Sequence, residues 1–279
     1  SEAPQPEAPP RTSQRNRGQL RRKSSQYLRK PKVLLIGDSI AHNANFNAVE
    51  METNVRVKTV KAYGSTHNPK ARWPKKNVAD VTPSALSKTY KDDQFTHLVV
   101  AAPTVDISNL DTSKLSPTDN MEYFKQEVAI SCRNIFAVAH DALKNKPDLE
   151  KVILMEHAQR FDEPFVDPLS LKPALAKYAN VMFHNLWMES PMKSKIIVAA
   201  HSLQYNNDTF EARYKDDKTG KFDGVHMYGS AGKTAYTRSL INIFKQAVAS
   251  KSNGSSKSND SHTNCPQTRY SQQKYSVPV

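Results

Sequence analysis

Two residues near opposite ends of the chain carry the strongest chemical signal. Ser39 closes the string Ile36-Gly37-Asp38-Ser39. The run before it, KVLLIGD (32–38), reads as a buried strand, so Ser39 falls at a strand-to-helix junction. Its hydroxyl would face outward there. Its backbone N–H would open a helix, where free N–H groups suit an anion. The same position also suits a serine that merely caps a helix, and Gly-Asp-Ser by itself does not separate the two readings. His226 ends Phe222-Asp223-Gly224-Val225-His226, just ahead of a helical pattern at 229–250. Histidine is the usual general base for a serine nucleophile because it titrates near neutrality. Asp223 stands three residues earlier, and a loop containing Gly224 lets its carboxylate hold one ring nitrogen and leave the other for a hydroxyl. An ordinary turn explains Asp-Gly-x-His taken alone. The pair of strings is far more specific than either alone and points to a serine nucleophile served by a histidine base.

For that chemistry the two strings must meet, and the elements between them say how. Apolar runs at 32–38, 96–103 (THLVVAAP), 151–157 (KVILMEH) and 195–201 (KIIVAAH), with the alternating segment 55–64 (VRVKTVKAYG), read as five strands. Segments 41–52, 120–144, 170–189 and 229–250 space their apolar residues three and four apart and read as helices. Strands alternating with helices imply a parallel sheet covered on both faces, and right-handed crossovers leave few topologies. The expected fold is a three-layer α/β/α sandwich with a five-stranded parallel sheet in the flavodoxin-like order 2-1-3-4-5. Sites in such sheets lie beyond the carboxyl ends of the strands, where Ser39 and His226 both fall.

Gly-Asp-Ser after the first strand and Asp-x-x-His before the last helix together resemble the SGNH hydrolases, also called GDSL esterases. The resemblance covers about 31–250 and includes the element order. The family's first block is matched by Gly37-Asp38-Ser39 and its last by Asp223 and His226. The glycine of its second block is matched by Gly64 in Ala62-Tyr63-Gly64-Ser65. The resemblance implies a Ser39/His226/Asp223 esterase acting on a small acyl ester, such as an O-acetyl group or an acylated polymer, with no cofactor. It also implies an oxyanion hole built from the Ser39 N–H, the Gly64 N–H and an asparagine side chain. The third block departs from the pattern. Where the family has Gly-x-Asn-Asp, this chain has Pro103-Thr104-Val105-Asp106, so Val105 occupies the asparagine position. Losing one oxyanion donor typically costs ~10²–10³ in rate. Thr104 and Asn109 are candidate replacements, and Asp106 matches the block's acid. The rival reading is a non-catalytic SGNH-like module that binds RNA or a protein partner within a retroelement-related protein.

Other features bear on partners. In the loop after the fourth strand, Arg160 suits an anionic substrate group, or a simple surface pair with Asp162. Lys61, Lys70, Arg72, Lys75 and Lys76, with Tyr63 and Trp73 nearby, form a basic loop after the second strand that suits nucleic acid by charge and stacking, or a plain solvated loop. The formal charge is +13, and most of it sits at the ends. Residues 1–30 (basic and Pro-rich) and 251–279 (polar) read as disordered flanks of a 31–250 domain, and basic tails commonly meet nucleic acid. The two cysteines, Cys132 and Cys265, form no disulfide framework, so a cytoplasmic or nuclear setting is expected over secretion. No apolar run approaches the ~20 residues of a membrane helix. Gly232-Lys233-Thr234 looks like the end of a phosphate-binding loop, but Met227 stands where that motif requires glycine. The nine histidines show no metal-ligand spacing.

Overall fold

The computed structural model describes residues 30–65, 76–87, 94–101, 104–108, 110, 117–158, 171–201, 213–220, 222, 225–227 and 229–248. The terminal segments 1–29 and 249–279, expected to be disordered, lie outside the described residues.

Five strands form one sheet: β1 (Lys32–Gly37), β2 (Arg56–Lys61), β3 (His97–Ala101), β4 (Lys151–Met155) and β5 (Ile196–Ala199), in the order β2-β1-β3-β4-β5. All neighbouring pairs are parallel, as expected from the sequence. Among the described residues the helices are α1 (Ser39–His42), α2 (Phe46–Thr53), α3 (Val78–Ser87), α4 (Thr104–Ser108), α5 (Pro117–Asn145), α6 (Lys172–Glu189) and α7 (Ser230–Ala247).

The continuous apolar runs of β1 and β3 are explained by burial on both faces. Leu34 and Ile36 point into one core, with Phe124 and Ile135 of α5 and Phe183 of α6. Val33 and Leu35 point into the other, with Tyr236, Leu240 and Phe244 of α7. All four strand residues are 0% exposed, and each such side chain contributes about 1.5–3 kcal/mol of burial. β2 lies at the sheet edge and reads differently: Arg56, Lys58 and Lys61 are exposed on it, charges that discourage a further strand from pairing there. Cys132 on α5 is 2% exposed in the first core. Burial, helped by the nearby Asp106 charge, pushes its thiol up to about 12, which makes it a packing residue and an inert thiol.

The structure departs from the expected elements at two places. The helix expected over 41–52 is two helices, because Asn45 interrupts it: its side chain accepts the Ala48 N–H at 3.3 Å as the N-cap of α2. Two further helices, α3 and α4, lie where the sequence pattern assigns no element. α3 is started by a reciprocal cap, in which Asn77 Oδ1 accepts the Asp80 N–H at 2.8 Å and Asn77 Nδ2 donates to Asp80 Oδ2 at 2.7 Å.

Candidate active site

The turn after β1 is tight because Gly37 permits it. A Cβ there would lie 2.5 Å from Ala41 Cβ and 3.1 Å from Leu35 Cδ2, so a larger residue would push α1 off the strand. Asp38 caps α1: its Oδ1 accepts the N–H groups of Ile40 at 2.9 Å and Ala41 at 3.4 Å. The capping role that Ser39 might have filled thus belongs to its neighbour. Ser39 becomes the first helical residue, and its hydroxyl is left for other work.

That hydroxyl meets His226. Ser39 Oγ lies 2.9 Å from His226 Nε2, across 187 residues of chain. The histidine is held from both sides by apolar neighbours. Met227 is 1% exposed and belongs to the core under α7, and Val225 packs against that same core. The approach to this loop is built from 213–222, where Lys215 bridges to Phe222 and the buried Tyr214 ring stands edge-on to Phe222 at 6.3 Å. Asp217 Oδ2 accepts the Ser230 N–H at 2.7 Å and so ties this segment to the start of α7.

Gly64 sits on the adjacent strand end. Gly37 pairs with Lys61 in the β1–β2 ladder, so Ser39 and Gly64 leave the same edge of the sheet two and three residues further on. Gly64 has φ +83°, a left-handed conformation that favours glycine. Its carbonyl accepts the Val78 N–H at 3.0 Å, and the Ser65 carbonyl accepts the Ala79 N–H at 3.1 Å, which satisfies the first donors of α3. The Ser39 and Gly64 N–H groups have no acceptor among the described residues. A negatively charged oxygen can be received by such donors.

Asp106, in α4, points away from solvent. Its carboxylate accepts the Ser65 N–H (3.1 and 2.9 Å to its two oxygens) and the Ser131 hydroxyl from α5. Burial raises its pKa, against the opposing hydrogen bonds from Ser131 and Ser65. Asp106, the acid of the third sequence block, stands behind the Gly64 turn. Asp223, Gly224, Arg160 and the side chains of Thr104 and Val105 lie outside the described residues, as does most of the basic loop at 66–75. Ser65, Ser131 and Asn77 were missed from sequence. The Asn77-x-x-Asp80 capping signature was there to find, whereas nothing local marks Ser131.

Behind Ser39 a small polar cavity is lined by Asp38, Ile40, Glu156, His201 and Tyr236, among others. His201 Nδ1 lies 3.2 Å from Ser239 Oγ, and its ring lies tilted against that of Tyr236, centroids 5.3 Å apart. Burial lowers its pKa to about 4, with the Glu156 charge opposing. The fold therefore holds this imidazole neutral, while an unfolded chain binds a proton near pH 6.5. Stability from this group is full above about 6.5, is lost progressively as pH falls towards 4, and levels off below that. The loss amounts to about 3 kcal/mol. His42, also lowered by burial, acts in the same direction. His184 is raised by its 2.6 Å bond to Glu156 and acts oppositely, losing its contribution as pH rises. Comparing denaturant unfolding of the wild type and His201→Gln isolates the one group: the stability gap between them narrows from pH 7.5 to 4. Parallel pH profiles would contradict the assignment.

Among the described residues, no group of three or more His, Cys, Asp or Glu side chains is placed to hold a metal ion. No described helix is long and apolar enough to cross a membrane.

The strand order and the helices on both faces are those of a three-layer α/β/α sandwich with a flavodoxin-like parallel sheet. No family model and no curated protein matches the chain. Among solved structures, the chain is similar to a GDSL-like lipase from Bacteroides thetaiotaomicron, at 14% identity over 82% of this chain and 98% of that one, with TM-score 0.44. A phospholipase A1 from Streptomyces albidoflavus matches at 9% identity over 77% and 99%, with TM-score 0.48. The C-terminal catalytic domain of peptidoglycan O-acetyltransferase A from Streptococcus pneumoniae matches at 15% identity over 78% and 94%, with TM-score 0.38.

Proposed function

We propose that the chain is a serine ester hydrolase of the SGNH type, acting on a small acyl ester such as an O-acetyl group on a small molecule or a polymer. The observation that carries this reading is the 2.9 Å contact between Ser39 Oγ and His226 Nε2. A hydroxyl within hydrogen-bond reach of an imidazole is the arrangement that makes serine nucleophilic at neutral pH.

In this reading Ser39 Oγ attacks the ester carbonyl carbon and passes its proton to His226 Nε2. Asp223, three residues upstream, holds the other ring nitrogen and stabilises the imidazolium. The carbonyl oxygen, now negative, takes hydrogen bonds from the Ser39 and Gly64 N–H groups. His226 returns the proton to the leaving alcohol as the tetrahedral intermediate collapses to an acyl-serine. Water then attacks the acyl-serine with His226 as base, and the carboxylic acid leaves. No cofactor enters these steps. Arg160 suits a negatively charged part of the substrate, and Thr104 suits the third donor position that Val105 leaves unfilled.

Hydrolysis of a short-chain aryl ester by the wild type and by Ser39→Ala tests the proposal. The expected loss is ~10³-fold or more; equal rates would reject the enzyme reading for that substrate class. The RNA-binding reading rests on the basic tails, which lie outside the described residues, and on Val105 at the oxyanion asparagine position; no observation among the described residues favours it.

A further inference from the structure

The Gly64–Ser65 peptide is gripped at both ends. Its carbonyl, on Gly64, accepts the Val78 N–H at 3.0 Å. Its N–H, on Ser65, is shared between the two oxygens of Asp106 at 3.1 and 2.9 Å. With that peptide plane held, Gly64 at φ +83° and the Tyr63 N–H bonded to the Lys76 carbonyl at 2.6 Å on the other side, the Gly64 N–H between them is constrained in direction. It is the donor of this turn that has no acceptor among the described residues. Asp106 is in turn braced from behind by the Ser131 hydroxyl of α5. It also stands so close that a Cβ on Gly64 would lie 2.5 Å from its Oδ1.

We infer that Asp106 is a positioning residue for the oxyanion hole: through the Ser65 N–H and the Ser131 hydroxyl, its buried carboxylate aims the Gly64 N–H at the developing oxyanion. The inference rests on the hydrolase reading for its consequence in catalysis, and on the turn geometry alone for its consequence in structure. It gives the third sequence block a function without its asparagine, because the acid of that block works on the backbone of the second block. A carboxylate suits this role because it accepts from the Ser65 N–H and the Ser131 hydroxyl at once, and charge-assisted bonds of this kind are about twice as strong as neutral ones.

The test uses the full chain, with Asp106→Ala, Asp106→Asn and Ser131→Ala. Two readouts are taken. One is kcat and KM on a short-chain aryl ester, normalised to the fraction of Ser39 that reacts with a fluorophosphonate. The other is the amide signal and hydrogen-exchange rate of Gly64 and Ser65 by NMR. Asp106→Ala is expected to lower normalised kcat by ~10²-fold or more with KM changed less than about threefold. Asp106→Asn keeps an acceptor for the Ser65 N–H and restores activity to within about tenfold of wild type, with Ser131→Ala between the two. The Ser65 and Gly64 amides shift and exchange faster in Asp106→Ala. A purely structural role would reduce the reactive fraction and leave normalised kcat alone, and that result overturns the inference. Undisturbed Gly64 and Ser65 amides overturn it whatever the activity. Disturbed amides in a protein whose wild type neither reacts nor hydrolyses would strike the hydrolase reading and leave the clamp on Gly64 standing.

Discussion

Replacing His226 with glutamine is expected to lower ester hydrolysis by roughly 10⁴-fold while leaving the fold intact. Glutamine fills a similar volume and can still hydrogen-bond the Ser39 hydroxyl, but its amide takes no proton at neutral pH. The 2.9 Å contact would then hold the serine without activating it. His226 is half-buried and anchored by the buried Met227 beside it, so the substitution removes a base and little packing. Two measurements separate this from damage to the fold: the thermal midpoint of the variant, expected close to wild type, and its pH–rate curve. The acid limb of kcat/KM, which reports ionisation of the essential base in the free enzyme, is expected to vanish with the imidazole. A variant that keeps both its rate and its acid limb would place the base elsewhere.

The second large effect is expected from Gly232→Ala, at a position remote from the reacting atoms. In an ordinary helix this change stabilises by about 1 kcal/mol. Here the new methyl would lie 2.1 Å from the Arg213 carbonyl oxygen, 2.8 Å from Met227 Cβ and 3.0 Å from Met227 Cα. All three are backbone atoms or fixed directly to it, so no flexible side chain can swing aside. The first turn of α7 must move away from the 213 and 226–227 segments, and overpacking of this kind costs about 1–3 kcal/mol or more. Because Met227 follows His226 in the chain, the displacement also draws the imidazole away from Ser39. Gly232→Ala is therefore expected to lose about 2 kcal/mol in urea unfolding and to hydrolyse esters at least tenfold more slowly per folded molecule. A stabilised variant of undiminished activity would show that the close approach at Gly232 does not hold the loop. The short Gly-Lys-Thr string has its explanation in this contact: the glycine serves packing between a helix and a loop.

Much of this architecture was legible because its signals are local. Four of the five strands are apolar runs of the right length, the second alternates, and the long helical patterns at 120–144, 170–189 and 229–250 repeat every three to four residues. Parallel pairing follows from their alternation, and the strand order from the rules of crossover. α3 was hidden because its ten residues include Pro83 and follow a strongly basic stretch that reads as loop. Only the Asn77–Asp80 cap announces it. α4 has five residues, too few to show a period. Within the site, Ser39, Gly64 and His226 were legible because each ends or follows a strand or precedes a helix. The division of labour between Asp38 and Ser39 was not. Both residue types cap helices well, and the geometry at the end of β1 decides between them. Ser65 and Ser131 escaped notice because their importance comes from Asp106, which lies 41 and 25 residues away from them in the chain. Serines are common, and only folding singles these two out.

The account turns on Ser39 being activated by His226. Treating the folded wild type with a fluorophosphonate, then locating the adduct by peptide mass spectrometry, tests this without knowledge of the natural substrate. The expected result is a single adduct on Ser39, formed in the wild type and suppressed in His226→Gln. Labelling spread over other serines, or labelling of Ser39 that proceeds equally well without the imidazole, would contradict it.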